Sequence, residues 1–546
     1  MTTTTARTMA QERQLDWLLA EVLGSPAAGA RTQTRSARSW LAAAVVVLGL
    51  GVAFGTALLR QGPPPAPVQE PAAAIEWYEC HGPAGIDTIP ADVVNLRCFD
   101  FDDATMVHLG HFAKLLRLDL SGMDVNERGY SVSLKITDAG LFHLNGIPNL
   151  RWLSLAGCHE VKGPGLRVLE NLPMLEHLDL TYSGVESPAI ERLPELFSLR
   201  ELSLSHCMNF HGRSLAEVGK VAGLRRLELR GCTTLSAADV VHLAKLTQLR
   251  HLDLRDCQGR FRGQRAGGFG PRDEDPPPPP VEDGIGVTDA SIAALGGLKL
   301  ETLLLGGSES LTDAIGPTLT KMTTLRRLDL SNLPKTTDAL LAHVPGLLTA
   351  LELGENRQFT DGGLRAMTPL PDLCELGLDG MPGLGDRGIA DLLAEHRLQR
   401  LELGGTQQAT KVGELFRREL GDELIEALAL QTELQRLALR KCRIDARTLD
   451  RLATLPALVE LDLSFAAFAP GVLPHLAPSR SLTKLGLVRA TDIAADDLRQ
   501  LPPTLRELDL YGTKLDFSEV ARIAKAWPSC TIRMPEGRRL RVPQPR

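Results

Sequence analysis

Aromatic side chains are scarce in this chain, 4% of 546 residues, which argues against a core built around large rings. Neither sign of charge dominates. Sixty basic against 67 acidic residues leave −7, so a general nucleic-acid binder, which needs a basic surface, is not expected. No His-Glu-x-x-His, no Cys-x-x-Cys and no nucleophile motif occurs. The one match to Gly-x-Gly-x-x-Gly, Gly383 to Gly388, lies outside the strand-to-helix setting that nucleotide binding requires. No metal, no cofactor and no enzymatic activity are therefore expected. No Asn opens an Asn-x-Ser/Thr sequon, and Arg far exceeds Lys; both features favour a bacterial source over a glycosylated eukaryotic ectodomain.

Long apolar runs are also missing, with one exception. Trp40 to Leu59 (WLAAAVVVLGLGVAFGTALL) holds no charge and no Pro. At 1.5 Å per residue, such a helix is about 30 Å long, the thickness of a bilayer core. The region before it is too long for an ordinary signal peptide, and Leu58-Leu59-Arg60 is no small-residue cleavage site, so an uncleaved anchor is expected. Arg31, Arg35 and Arg38 precede the span and only Arg60 follows closely, which places the N-terminus in the cytoplasm and exports the rest. Gly51 and Gly55 form a Gly-x-x-x-Gly pair that would permit a weak homodimer. The expected order is a cytoplasmic tail (1–38), a transmembrane helix (39–60) and a Pro-rich stalk (61–75). An N-terminal cap and first coil (76–114), a repeat domain (115–535) and a C-terminal tail (536–546) come after them.

What is abundant is Leu, and it is periodic. The pattern Leu-x-x-Leu-x-Leu-x-x-(Cys/Ser/Thr/Asn) reads LRWLSLAGC at 150–158, LRRLELRGC at 224–232 and LQRLALRKC at 434–442. Its central Leu falls at 153, 178, 202, 227 and 252, and at 303, 328, 351, 376 and 401. It falls again at 437, 461, 485 and 508. Alternating Leu sends apolar side chains to one side of a short strand, and steps of 23 to 25 residues suit a strand-and-return coil. Return segments such as Thr312-Asp313-Ala and Thr360-Asp361-Gly carry helix-start residues. Residues 259–284 (GRFRGQRAGGFGPRDEDPPPPPVEDG) interrupt the array, with a composition that cannot pack.

The pattern resembles the leucine-rich-repeat superfamily, in particular its Cys-containing, Thr-Asp-helix type found in F-box-associated and many bacterial repeat proteins. The resemblance covers 93 to about 535. It implies an α/β solenoid, a horseshoe with parallel strands on the concave face and short helices outside, and a protein partner bound on that face. No F-box precedes the repeats, so a ubiquitin-ligase role does not carry over.

Nine Cys are present, and Cys158, Cys207, Cys232, Cys257 and Cys442 share one repeat position, which suits turn packing better than metal binding. Cys80 and Cys98 flank the start of the array and are candidates for a disulfide over the first coil, although sequence does not fix connectivity. The position between the second and third Leu is acidic in many coils, as in Glu228, Asp253, Asp329, Glu352 and Glu402, beside a column with Arg226, Arg327 and Arg400. Two readings stand. These columns are a partner-binding surface whose side chains point away from the Leu core, or they neutralise each other across strands. The expected function is recognition of a protein at the outer side of a bacterial inner membrane, the alternative being a passive envelope spacer.

Overall fold

The computed structural model describes residues 76–121, 124–125, 131–132, 135–209, 211–257, 286–405, 418–524, 530–534 and 539–541. The expected tail, transmembrane helix with Gly51 and Gly55, stalk and insertion 259–284 lie outside the described residues. No helix among the described residues is long and apolar enough to cross a membrane. The chain divides into two units, Met1–Ile75 and Glu76–Arg546, and the repeats all belong to the second.

Each repeat contributes one short strand, and the Leu at its centre sets the register. Leu118 pairs with Leu153, Leu153 with Leu178, and Leu178 with Leu202. After the insertion Leu252 pairs directly with Leu303. Among the described residues one sheet of nineteen strands results, parallel from Tyr78–His81 through Thr531–Arg533. Its final pair is antiparallel: Arg539–Arg541 folds back on Thr531–Arg533. Of the expected C-terminal tail over 536–546, only Arg539–Arg541 lies among the described residues. Arg539–Arg541 covers the edge that Thr531–Arg533 would otherwise leave open.

Alternation decides what is buried. Leu150, Leu153 and Leu155 of one coil are each 0% exposed, as are Leu224, Leu227 and Leu229 of another. Burying a Leu side chain is worth about 1.5–3 kcal/mol, and each coil stacks its set on the next. The return segments are short helices, such as Asp338–Leu341, Asp361–Ala366 and Asp386–Glu395. Between Leu401 and Leu437 lies the helix Asp422–Ala429, with 406–417 outside the described residues. The step from Leu118 to Leu153 contains the antiparallel pair Asp124–Val125 and Ser131–Val132.

Leaving the strand requires a left-handed residue in nearly every coil. Tyr182, His206, Asp256, Asn332, Lys441 and Phe465 all have φ between 50° and 60°, and Gly157, Gly231 and Gly380 take the same place elsewhere. A left-handed non-Gly residue costs roughly 1–2 kcal/mol. The return is a further inter-coil bond: the Asn332 N–H donates to Gly354 O at 2.8 Å, and that of Lys441 to Ser464 O at 3.0 Å. The next residue is the Cys column. Its thiols reach back one coil, Cys158 to Leu120 O at 3.2 Å and Cys257 to Leu229 O at 3.0 Å. Asn356 does the same through Nδ2 to Leu330 O at 2.8 Å.

The Thr-Asp starts form a second chain of links. In each of these coils the Thr hydroxyl accepts an N–H of its own helix, as Thr137 does from Ala139 at 3.1 Å. The Asp reaches into the following coil instead. Asp313 accepts the N–H and O–H of Thr337 at 2.8 and 2.6 Å, and Asp338 accepts those of Thr360 at the same distances. Gly363 is required beside this link, because an added Cβ would meet the Asp338 carboxylate.

Candidate functional site

The side of the sheet opposite the Leu core is an open face, and its columns run across the strands. The acidic column divides by side-chain length. Aspartate is short enough to accept the N–H two residues on, closing the turn out of the strand. Asp253 accepts from Arg255 N at 3.0 Å, Asp329 from Ser331 N at 2.9 Å, Asp462 from Ser464 N at 2.9 Å and Asp509 from Tyr511 N at 3.0 Å. Asp253 and Asp329 are only 3% and 4% exposed. Arg255 Nη2 also holds Asp253 Oδ2 at 2.6 Å. Burial raises the Asp329 carboxyl from its ordinary range, against the Ser331 hydroxyl bond. These two face away from the core, as the sequence pattern requires, but they are structural groups rather than exposed charge.

The longer glutamates reach sideways. Glu228 pairs with Arg226 of its own strand at 2.5 Å. Glu402 is held by Arg400, and by Arg440 at 3.2 Å. Arg327 turns to Glu375 at 2.7 Å, and Arg400 also approaches Glu375 at 3.9 Å. Arg440 further bonds Asp462 at 2.6 Å. The geometry thus favours neutralisation between columns for most of these residues.

Glu352 stands apart. No ion pair to it occurs among the described residues, and its carboxylate lies over Gly377, which leaves room for it on the neighbouring strand. Burial and then the Glu402 charge push its carboxyl up to about 7. Asp379, two residues after Gly377, behaves similarly. Burial and Glu402 bring it to about 6, and its Oδ1 is buried without a partner among the described residues while Oδ2 lies 3.5 Å from Arg440. Neither Asp379 nor Glu375 nor Arg440 was singled out from the sequence. Their signal was available, since Glu375 lies in the same column as Arg327 and Arg400, and Asp379 and Arg440 two residues beyond the acidic one.

Aromatic groups gather at the other end of the face. Trp152 and His177 are adjacent in the column that continues through Glu201 to Arg226. Their rings stack at 5.0 Å, and Trp77 meets Trp152 edge-on at 5.5 Å. The Arg97 guanidinium lies 5.1 Å from the Trp77 ring and bonds Asp119 at 2.8 Å. His177 Nδ1 is 2.9 Å from Glu201 Oε2, a contact that lowers the Glu201 carboxyl. Further along, burial lowers the His251 imidazole to about 4, so it is neutral at physiological pH.

Cys80 and Cys98 are in register on neighbouring strands, each 1% exposed and each a thiol here. Burial raises both, and Cys98 well above the ordinary thiol range. In the Cys column burial pushes Cys207, Cys257 and Cys442 up to about 12. No group of three or more metal-ligating side chains occurs among the described residues.

No family model matches this chain, and no curated protein matches it. Solved structures do. An internalin of Listeria monocytogenes is 18% identical, with 71% of this chain and 83% of that chain covered and a TM-score of 0.34. A leucine-rich-repeat protein of Leptospira interrogans is 19% identical over 84% of this chain and 99% of that one, with a TM-score of 0.38. Rad7, from the yeast Rad7–Elc1 complex, is 20% identical over 71% and 80%, with a TM-score of 0.41. Likenesses of this degree say nothing of partner or activity.

Proposed function

We propose that the chain is a non-enzymatic protein-recognition module, anchored by Trp40 to Leu59 in the cytoplasmic membrane of a bacterium with its repeats outside. The observation that carries this reading is the open face itself. Strands in unbroken register line up their outward side chains in columns. At about 4.8 Å per strand, the eighteen parallel strands among the described residues offer a face of roughly 80 Å, ample for a protein ligand. Its Leu core and turn links hold that face rigid, so binding would cost little ordering of the receptor.

The test has two parts. Full-length protein should stay with membranes through an alkaline carbonate wash, and protease added to spheroplasts should digest the repeats. Crosslinking from the open face should then recover one saturable protein partner. Repeats protected from protease reverse the orientation, and crosslinking that never saturates removes the recognition reading. A second reading, a passive spacer, is favoured by the pairing of Arg226 with Glu228 and of Arg400 with Glu402, which leaves those columns with little free charge.

A further inference from the structure

The acidic column was the obvious place for a partner, yet its Asp members are committed to the backbone and most of its Glu members to Arg. The aromatic strip at the beginning of the face is differently built. This chain is only 4% aromatic, yet both tryptophans among the described residues come together on one strip, half-buried, with His177 continuing the stack. They do so although Trp77 precedes the first strand, and Asn95 and Arg117 occupy the column between it and Trp152. Around them the polar groups are satisfied: Arg97 by Asp119 and the Trp77 ring, His177 by Glu201, and Asp179 by Thr181 N at 2.9 Å. Arg117 is the exception, making no ion pair among the described residues while lying beside Trp152 in register.

Resting on the recognition reading, we propose that Trp77, Trp152, His177 and Arg117 form the docking strip for an extended, acidic, proline-containing segment of the partner protein. The ring centroids of Trp77, Trp152 and His177 follow one another at 5.5 and 5.0 Å, a strip of about 10 Å. About three to four residues of polyproline-II chain span that length. Proline rings pack on indole faces without needing hydrogen-bond donors, and a partner carboxylate offers an ion pair to Arg117, which makes none among the described residues. Trp and Arg are also the side chains that dominate interface energetics. A saccharide fits less well, because its many hydroxyls would find polar neighbours already bonded to one another.

The test uses the full-length chain in detergent and fluorescein-labelled peptides of equal length with alternating Glu-Pro, Lys-Pro or Glu-Ser sequence. Only Glu-Pro should bind saturably, with a change in tryptophan emission. Trp77→Ala and Trp152→Ala should each weaken it about tenfold or more. Arg117→Glu should lose Glu-Pro and gain Lys-Pro, an exchange that misfolding does not produce. Absence of saturable binding by Glu-Pro, equal binding of Lys-Pro to the natural chain, or indifference to both Trp changes overturns the proposal. So does a chitooligosaccharide that binds with the same emission change. If the crosslinked partner is recovered equally by the Trp variants, this strip is wrong and recognition elsewhere on the face stands; if no partner saturates, recognition itself fails.

Discussion

Thr312 and Asp289 belong to successive coils, and both the backbone N–H and the hydroxyl of Thr312 donate to the Asp289 carboxylate, at 2.9 and 2.6 Å. The same Thr312 oxygen accepts the Ala314 N–H at 3.2 Å, so one side chain caps its own helix and links it to the preceding coil. Asp289→Ala should therefore cost about 1–3 kcal/mol, because it leaves two donors unpaired. Thr312→Val should cost about 1–2 kcal/mol through the lost cap, and Thr312→Ser much less. The double change should cost less than the sum of the two, since both act on one link. Denaturant titration of the natural chain and the four variants measures this. Strict additivity would show that the link contributes nothing.

The division between Asp and Glu on the open face gives a second expectation. Asp329 holds the Ser331 N–H and hydroxyl at 2.9 and 2.6 Å and is 4% exposed. Asp329→Ala should destabilise by about 1–3 kcal/mol, and Asp329→Lys by more, because a buried cation would replace a buried acceptor. Glu228→Gln, in an exposed pair with Arg226, should stay within about 1 kcal/mol. Thermal melts decide it, and equal melting temperatures for Asp329→Lys and the natural chain would return Asp329 to the exposed surface.

Much of this was written in the Leu spacing. The strand centres, the in-register column and the acidic and basic neighbours all follow from a period of 23 to 25 residues with an alternation of two. What spacing does not reveal is how far a side chain reaches. Asp and Glu occupy one column and look equivalent in sequence, but the shorter one bends back to Ser331 N while the longer Glu402 extends to Arg440. Likewise the Thr-Asp pair reads as a helix start, and only the stacking of coils shows Asp289 serving the next helix. Trp77 was illegible for another reason: it lies before the first strand, outside the repeat, and reaches Trp152 over two intervening column positions.

The pair Glu352 and Asp379 sets a pH dependence. Both carboxyls are raised in the folded chain, to about 7 and about 6 from ordinary values of 4.5 and 3.8. A raised carboxyl binds its proton more tightly folded than unfolded. Its contribution is therefore complete below the unfolded value and lost as pH rises through the folded one. For Glu352 the window is about pH 4.5 to 7, and the whole effect is at most about 3 kcal/mol. Glu352→Gln should melt progressively higher than the natural chain as pH increases across that window, and Asp379→Asn should do so from about pH 4 to 6. A difference between variant and natural chain that does not change with pH would show both groups ionising normally.

The cysteines separate into two chemistries. Cys207, Cys257 and Cys442 donate to carbonyl oxygens of the preceding coil, and burial pushes their thiols up to about 12. At about pH 8 almost no thiolate exists there, so folded protein should leave these three unlabelled by iodoacetamide for hours, and unfolding should expose them all. Cys80 and Cys98 differ in position. They face each other in register on the first two strands, where adjacent Cα atoms about 4.8 Å apart fall within disulfide range. Burial keeps both thiols protonated once folded, so exchange is expected before the first coil closes rather than after. Refolding the chain with oxidised glutathione should transfer its disulfide to this pair, releasing two molecules of glutathione thiol, and raise the stability of the first coil by about 2–4 kcal/mol. Adding the same oxidant to folded protein should do little. Peptide mapping that links Cys232 to Cys257, or finds Cys80 and Cys98 both alkylated after oxidative refolding, would assign the pair to packing alone.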